Sequence, residues 1–363
     1  MADIGLPNVS LVFTGLGTSA VKRGSRGVAC LIISDDTDKT FDFVEYTSID
    51  DLTSNEIKKY TATNLQYIKD VLAGIPSKLI VARRNVAGTL PDILAKIKGK
   101  KMDWIGLAEA EAADQTALAT WIKSVNTSEK KKYKCVVYNA TTTDDIHVVN
   151  FANSDVTFTD ARGKVTGEKF VSRLIGMLAG LPLTRSAISY SFTDLKAVTE
   201  PVDLASAVNT GKFVLYNDEG IVRVARGVNS LITTGDGVTD DFKHIMIIET
   251  QDLIYNDIIT TWKDSYKGKY KNSSDNQHLL IGAINSYFKA LEKEGLLDDS
   301  YNNLARIDVE AQRMANVPKY GADVVATWDD AKVLDMTVGT QVYIKADVKI
   351  LNAMEDFSMV VSM

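Results

Sequence analysis

The strongest constraint on the fold is a regular alternation of strand-like and helix-like segments through the middle of the chain. Amphipathic patterns typical of helices cover residues 91–98, 114–126 and 168–179, and short apolar runs typical of buried strands cover residues 102–107, 134–138 and 146–151. Consecutive parallel strands need a crossover connection, usually a helix, so the alternation predicts an α/β domain with a largely parallel sheet. We assign this domain to residues 89–234, with a hairpin near its end at residues 212–225.

A smaller α+β region is expected before this domain, at residues 21–88. Strand-like runs occur there at residues 28–33, 41–46 and 78–83. A helix is predicted to begin at Thr53 and to continue to Leu72, because Thr53 and Glu56 have the spacing of a capping box.

The predicted order of strands and helices changes after a Gly-rich segment of small and polar residues at residues 233–237. A strand is predicted at residues 244–248, followed by long helices at residues 250–266 and 275–294. We therefore assign residues 235–346 to a C-terminal α+β domain.

Both ends of the chain carry apolar residues at every second position, which is the pattern of strands. The alternating residues include Val9, Leu11 and Phe13 at one end and Val348, Ile350, Phe357, Met359 and Val361 at the other. Burying about five aliphatic side chains gains roughly 8–15 kcal/mol, whereas ordering about ten residues costs roughly 10–20 kcal/mol. We therefore expect arms at residues 1–20 and 347–363 that are loose in a free subunit and become ordered on a neighbour's sheet edge. The alternative is that both ends pair within the sheet of their own chain.

Composition excludes several classes of function. The net charge of −6 and the pI of about 5.3 argue against nucleic-acid binding, which usually needs a basic face. The basic runs at residues 96–101 and 130–134 are interpreted as solvated ends of helices and strands. No secretory pattern opens the chain and no apolar stretch approaches the roughly 18 residues that span a bilayer, so we expect cytosolic synthesis and no membrane insertion. Cys30 and Cys135 lie in strand-like runs and are expected to be buried thiols, although a single disulfide remains an alternative.

The short motifs that imitate catalytic or binding sites lack their partners. Gly15-x-Gly17-x-x-Ala20 resembles a dinucleotide fingerprint, but no helix fits before the next strand to receive a pyrophosphate. Ser19 sits in a segment like the serine motif of subtilases, yet none of the three histidines lies in a context suited to a triad. We interpret these histidines as structural or surface residues, and they are His147, His244 and His278. The acidic loops at residues 35–38 and 235–241 lack the ligand spacing of calcium sites, so we predict no catalytic, cofactor-binding or metal site.

Several stretches, taken in order, resemble the tail sheath proteins of contractile phages, of phage-like elements and of R-type bacteriocins. The matching stretches are residues 5–9, 175–185, 225–233, 248–268 and 276–296. The resemblance implies an α/β core likened to subtilisin without its catalytic residues, followed by a C-terminal domain that faces a tail tube. It also implies N- and C-terminal β-arms woven into neighbouring subunits, which here fall on residues 4–13, including Ile4, and on residues 348–363.

The same resemblance implies a structural subunit of a contractile injection machine, not an enzyme. Such subunits form a helical polymer around a tail tube protein and meet baseplate and tail-terminator proteins, and contraction drives the tube through a cell envelope. The protein would be made in the bacterial host cytoplasm and released by lysis in a phage or phage-like particle. Lys263 and Lys289 are candidates for facing the tube. The alternatives are an active α/β hydrolase or protease, and a non-contractile tube or shell protein.

Overall fold

The structure is a computed structural model that describes residues 20–24 and 26–363. The described chain divides into two compact units. The larger unit contains residues 24, 26–256 and 350–363, and the smaller unit contains residues 20–23 and 257–349. The expected N-terminal arm residues Ile4, Val9, Leu11 and Phe13 lie outside the described residues.

The elements follow one another in a mixed α/β order. The strands are β1 (Val28–Ser34), β2 (Phe43–Tyr46), β3 (Lys78–Arg84), β4 (Trp104–Leu107), β5 (Lys134–Tyr138), β6 (Val148–Phe151), β7 (Asp155–Phe158), β8 (Lys164–Thr166), β9 (Ser191–Phe192), β10 (Leu195–Val198), β11 (Lys212–Phe213), β12 (Leu215–Asp218), β13 (Ile221–Val224), β14 (Leu304–Ile307) and β15 (Ile344–Asp347). The helices are α1 (Ala62–Leu72), α2 (Leu90–Ile97), α3 (Ala112–Glu129), α4 (Val171–Gly180), α5 (Leu204–Asn209), α6 (Ile245–Thr261), α7 (Ser274–Lys293), α8 (Val309–Tyr320), α9 (Ala322–Ala326) and α10 (Asp330–Asp335).

A seven-stranded sheet with the order β11-β6-β5-β4-β1-β3-β2 forms the centre of the larger unit. All its neighbouring strands are parallel except β2, which runs antiparallel to β3. The largely parallel sheet predicted from the alternation is therefore present. The expected boundary after residue 88 does not coincide with a break in this sheet, because β1 pairs with both β3 and β4. The strands of residues 28–84 and those that follow thus share one sheet.

Helices cover both faces of this sheet. Alternate residues of a strand point to opposite faces, so each strand contributes to two separate cores. Ala29, Leu31 and Ile33 of β1 belong to the core that α1 and α4 cover. Val28, Cys30 and Ile32 of the same strand belong to the core that α2 and α3 cover. Cys30 and Cys135 both lie in this second core as free, buried thiols, which confirms the prediction made for them.

Helices α1 and α4 approach each other closely through glycines. A Cβ atom at Gly176 would lie 2.1 Å from the carbonyl oxygen of Val71, and one at Gly180 would lie 1.7 Å from the carbonyl oxygen of Gly74. These distances are far below any real contact of a Cβ atom, so only glycine permits this backbone packing. Both α4 glycines lie in the stretch at residues 175–185 that carries part of the family resemblance.

The prediction that a helix begins at Thr53 is wrong, since α1 begins at Ala62 with Thr61 as its N-cap. The buried carboxylate of Asp35 accepts hydrogen bonds from the backbone N–H of Thr61 and from the side chain of Asn64, at 2.9 and 2.8 Å. Tyr60 has an extended backbone, and its hydroxyl lies 2.8 Å from that of Tyr46 in the core. Because of these tertiary contacts, α1 begins later in the sequence than the local capping signal predicts.

The predicted strand at residues 244–248 is also wrong, because α6 begins at Ile245. Ile245, Met246, Ile247 and Ile248 are all buried, without the alternation of a half-exposed strand. A short, continuous apolar run fits a buried helix turn as well as a buried strand. The last turn of the predicted helix is a π-helix at Trp262–Tyr266.

Two three-stranded sheets, β10-β7-β8 and β12-β13-β9, complete the larger unit. The predicted hairpin is present as β12 and β13, with Asp218 opposite Ile221. Lys212 and Phe213 instead form β11 and pair with β6 of the central sheet. The predicted first strand of the hairpin is therefore divided between two sheets.

The smaller unit contains an antiparallel pair, β14 and β15, and the helices α7 to α10. Asn285 of α7 holds β14 through a pair of hydrogen bonds between its carboxamide and the backbone of Ala305, at 3.1 and 2.7 Å. Val325, Trp328 and Val333 form a separate apolar cluster. Within the described part of the chain, no helix combines the length and the apolar character that crossing a membrane requires.

Candidate assembly surfaces

Exposed apolar side chains are concentrated at the end of the chain in the described structure. Residues 351–363 lie in no strand here, and the side chains of Phe357, Met359 and Val361 are 86%, 68% and 68% exposed. Exposed apolar residues grouped in this way mark an interaction surface. The C-terminal end therefore does not pair within its own sheet in this structure, and its strand conformation on a neighbour stays a prediction.

Glu355 fixes the base of this exposed segment to the larger unit. Its carboxylate accepts hydrogen bonds from the Ser186 hydroxyl at 3.2 Å and from Nη1 of Arg226 at 3.1 Å, and His244 Nδ1 lies 3.7 Å away. Burial alone would raise the pKa of Glu355, but His244, Ser186 and Arg226 outweigh it and lower the pKa. The segment therefore has an anchored base at Glu355. The exposed Asp356 follows it, and we call the seven residues after that, 357–363, the tail.

The alternation of apolar residues at this end of the sequence begins at residue 342, and residues 342–350 form a strand only at their centre. β15 covers Ile344–Asp347, while Val348 and Ile350 follow it and are half-buried. Lys349 continues the register, since its backbone N–H donates to Asn303 at 2.9 Å and its Nζ pairs with Asp298 at 2.8 Å. The strand predicted here is thus present, but it is shorter than the sequence pattern.

Strand β15 also borders a narrow sheet. Among the described residues this sheet consists of β14 and β15 alone, and Lys345, Ala346 and Asp347 are exposed. Two-stranded sheets are marginal by themselves, and an edge with free N–H and C=O groups can accept a further strand. The smaller unit therefore offers a site for strand addition.

The two lysines predicted to face a tube both lie on the surface of the smaller unit. Lys263 is exposed within the π-helical turn. Lys289 is exposed on α7 and pairs with Glu292 one turn further along, at 2.9 Å. Both are accessible to a partner, and their contact with a tube remains a prediction.

The residues considered for catalysis do not form a triad in the described structure. Ser19, Gly15 and Gly17 lie outside the described residues. His147 is buried and its ring meets the carboxylates of Asp252, at 3.1 Å, and Asp145, at 3.7 Å. Burial would lower the pKa of His147, but these two carboxylates raise it. Both ring nitrogens thus face carboxylates within the buried interior, which fits the interpretation of His147 as a structural residue.

The other two histidines have different surroundings. His244 lies beside Glu355, and His278 is exposed on α7 with Nδ1 2.9 Å from the carbonyl oxygen of Ser274. Among residues 20–24 and 26–363, no group of three or more His, Cys, Asp or Glu side chains is placed to hold a metal ion. In the first acidic loop, Asp35 serves as the buried acceptor at the start of α1.

Sequence reasoning missed a buried ionic cluster in the larger unit. Lys134 is only 3% exposed, and its Nζ lies 3.1 Å from Asp252 and 3.3 Å from Glu249 of α6. The interpretation of residues 130–134 as a solvated run is therefore wrong for Lys134. Burial would lower the pKa of Lys134, but the facing carboxylates of Glu249 and Asp252 outweigh it and raise the pKa. The only sequence signal was the position of this lysine at the first residue of an apolar strand.

Comparison with known proteins gives one consistent result. The phage tail sheath C-terminal domain family matches residues 238–363. The tail sheath protein of Clostridium phage phiCD119 is 30% identical over 370 residues, which cover 99% of each chain. The crystal structure of a sheath tail protein from Desulfitobacterium hafniense has a TM-score of 0.68 at 15% identity, covering 83% of this chain and 94% of that one. The sheath of the anti-feeding prophage in its contracted state has a TM-score of 0.71 at 12% identity, covering 99% of both chains. The chain belongs to the tail sheath protein family.

Proposed function

We propose that this sheath subunit polymerises helically around a tail tube and that its arms link neighbouring copies. The observation that carries the proposal is the tail, whose apolar side chains are exposed while Glu355 anchors its base. A segment with this composition gains stability by burial against another protein. The N-terminal arm at residues 1–20 and the C-terminal arm at residues 347–363 would act as the two connections.

The exposed edge of the β14–β15 sheet is the proposed acceptor for an arm from a neighbour. For a free arm, the free energy gained by burying its apolar side chains nearly equals the free-energy cost of ordering its backbone. Pairing as a third strand adds backbone hydrogen bonds, which favour the ordered, bound arm. The edge carries Lys345 and Asp347, whose charges disfavour uncontrolled pairing with unrelated strands. A specific arm would therefore be selected by its sequence.

The larger unit is proposed to be a subtilisin-like α/β core that has no catalytic role. A parallel sheet with helices on both faces supports the first part. The surroundings of the buried His147 support the second, because both of its ring nitrogens face carboxylates and neither is directed at a nucleophile among the described residues. We propose that the C-terminal domain at residues 235–346, including Lys263 and Lys289, faces the tube, and that baseplate and tail-terminator proteins contact the ends of the polymer.

Contraction would follow from two alternative packings of rigid subunits. Interfaces between packed elements are bistable, so a trigger at a baseplate could release an extended lattice into a shorter one. Arms that remain joined to their neighbours would keep the polymer connected while the subunits rotate. We propose that the protein is made in the host cytoplasm and leaves by lysis as part of the particle.

Electron microscopy of the purified protein with and without the tail tests this proposal. We expect the intact chain to form striated tubes and a chain lacking residues 357–363 to stay folded without forming them. The deleted residues contact little of their own chain, so the thermal midpoint of the truncated protein should match that of the intact one. Tubes formed equally well by both chains would contradict the role of the tail, and closed shells would support a non-contractile assembly instead.

A further inference from the structure

The smaller unit contains a cavity of about 600 Å³ lined by aromatic, aliphatic and polar side chains. Trp262, Tyr266 and Tyr270 contribute the aromatic wall, and Leu280 and Val342 contribute aliphatic surface. Its volume is within the range of ligand-binding pockets, which combine apolar walls with a few polar groups. No local pattern in the sequence indicates this cavity.

Specific local structure builds the cavity. The π-helical turn at Trp262–Tyr266 and the positive φ of Gly268 lead the chain around the wall, and the rings of Tyr266 and Tyr270 stack at 5.3 Å. The carboxamide of Asn272 donates to the carbonyl oxygens of Gly339 and Gln341 at 3.0 Å each, so the opposite wall is held in place. π-Helical turns occur frequently at functional sites.

Charge and hydrogen bonding at the cavity indicate what it accepts. Lys267, Lys269 and Lys271 are exposed at its rim, in a chain whose net charge is −6. Gln277 lines the cavity and is 2% exposed, and its Oε1 has no hydrogen-bond partner among the described residues. A buried, unpartnered acceptor is costly, and a ligand with an N–H group would satisfy it. The site therefore suits an acidic peptide with an apolar anchor.

We propose that this cavity receives the C-terminal segment of a second copy, with the Phe357 ring against the aromatic wall and Asp356 near the rim lysines. Residues 350–363 contain two acidic residues and no basic one, so their charge complements the rim. Phe357 is the aromatic residue of that segment and is 86% exposed. Asp356 is exposed, and its ion pair with Arg226 is of the weak surface kind, so it can change partners.

The position of the cavity agrees with strand addition at the neighbouring edge. Val342 lines the cavity and lies two residues before β15. An extended segment paired along β15 would therefore lead to the aromatic wall, and its backbone N–H groups could reach Oε1 of Gln277. This inference rests on the proposed exchange of arms and adds the residues that recognise the tail.

Binding of a fluorescein-labelled peptide of residues 352–363 to the full-length chain tests the inference by fluorescence anisotropy. The receptor carries Phe357→Ala, so its own tail competes weakly. We expect replacing Phe357 by Ala in the peptide to weaken binding about 10- to 100-fold, as the loss of one buried aromatic side chain predicts. We expect Lys269→Glu with Lys271→Glu in the receptor to weaken it about 3- to 10-fold, more at low salt.

A matched control is Lys293→Glu with Lys319→Glu, which changes the charge equally at exposed lysines of the same unit that do not line the cavity. This control should bind the peptide like the parent receptor, and a peptide with Asp356→Lys should prefer the Lys269→Glu, Lys271→Glu receptor. Absence of peptide binding, equal binding by both double variants, or indifference to Phe357→Ala would overturn the inference.

Tube formation separates this inference from the function on which it rests. If the intact chain forms tubes but the cavity variants do so equally well and bind the peptide normally, the cavity is not the tail receptor while the arm exchange stands. If the intact chain forms no tubes under any condition, the proposed polymerisation fails whatever the peptide binds. A benzophenone amino acid at position 357, in a mixture of isotope-labelled and unlabelled chains, should crosslink to residues 262–280 of a different copy.

Discussion

Replacing Gly176 by Ala is expected to destabilise the larger unit by about 2 kcal/mol. The new Cβ atom would lie 2.1 Å from the backbone carbonyl oxygen of Val71, so α1 or α4 must shift. Overpacking of this kind costs about 1–3 kcal/mol, and a clash with backbone belongs at or above the upper end. Alanine regains about 0.5–1 kcal/mol through its higher helix propensity, which leaves the net loss near 2 kcal/mol.

Urea denaturation followed by circular dichroism measures this free energy of unfolding. For a unit of this size the loss corresponds to a thermal midpoint lower by about 4–8 °C. Gly99→Ala is the control within the same unit, since nothing lies within 4 Å of its added Cβ atom. Gly282→Ala in α7, equally free of contacts, should be neutral or stabilise by about 0.4–1 kcal/mol. The close-packing explanation would be refuted if Gly176→Ala were as stable as the parent chain.

Three further predictions concern charges and catalysis. Lys134→Met should destabilise the larger unit by about 3 kcal/mol, because it removes the buried cation that Asp252 and Glu249 share. The loss stays at the lower end of the range for broken buried pairs, since Asp252 keeps His147 and Glu249 keeps Arg26 as partners. Lys132→Met, at a more exposed lysine, should cost far less in the same denaturation assay. The folded protein lowers the pKa of Glu355, so the stabilisation from its ionised carboxylate is complete above the ordinary pKa of 4.5 and is lost as the pH falls through the lowered pKa. Proteolysis of residues 351–363 should therefore accelerate in acid. Glu355→Gln should remove that pH dependence. A fluorophosphonate probe should leave the protein unlabelled, and stoichiometric labelling that Ser19→Ala abolishes would contradict a purely structural role.

The parts of the fold that the sequence predicts best are those governed by local periodicity. The apolar runs that became β1, β3 and β5 are buried on both faces, and their length identifies them as strands of a parallel sheet. Helix α7 was predicted within one residue at each end, because Ser273 caps it and Gly295, at φ +71°, ends it.

The missed features depend on contacts between residues far apart in the sequence. Asp35 determines where α1 begins from 26 residues away, and Asp252 neutralises Lys134 from a distance of 118 residues. No local pattern contains that information. Gly176 illustrates the same limit, since its requirement for glycine arises from the backbone of α1 and not from its own helix.

The candidate assembly site was predictable in part. Alternation identified Phe357, Met359 and Val361 as a segment in need of a partner, and their exposure agrees with that interpretation. The anchor at Glu355 was not predictable, because two adjacent acidic residues in an apolar segment indicate only solvated positions, and nothing local distinguishes Glu355 from Asp356. Its partners, Ser186, Arg226 and His244, come from three separate parts of the larger unit.

In the proposed exchange of arms, the anchor at Glu355 would set a maximum length for the connection between subunits. An extended chain spans at most about 3.3–3.6 Å per residue, so the eight residues after Glu355, which are Asp356 and the tail, cover about 26–29 Å beyond the anchor. A tail held by a neighbour can follow that neighbour freely within this distance. At larger separations the chain becomes taut, and tension falls first on the exposed ion pair of Asp356 with Arg226 and then on the bonds of Glu355 to Ser186 and Arg226. Lengthening the tail with a flexible insert after Asp356 would add slack and let neighbouring copies separate further before they pull on one another.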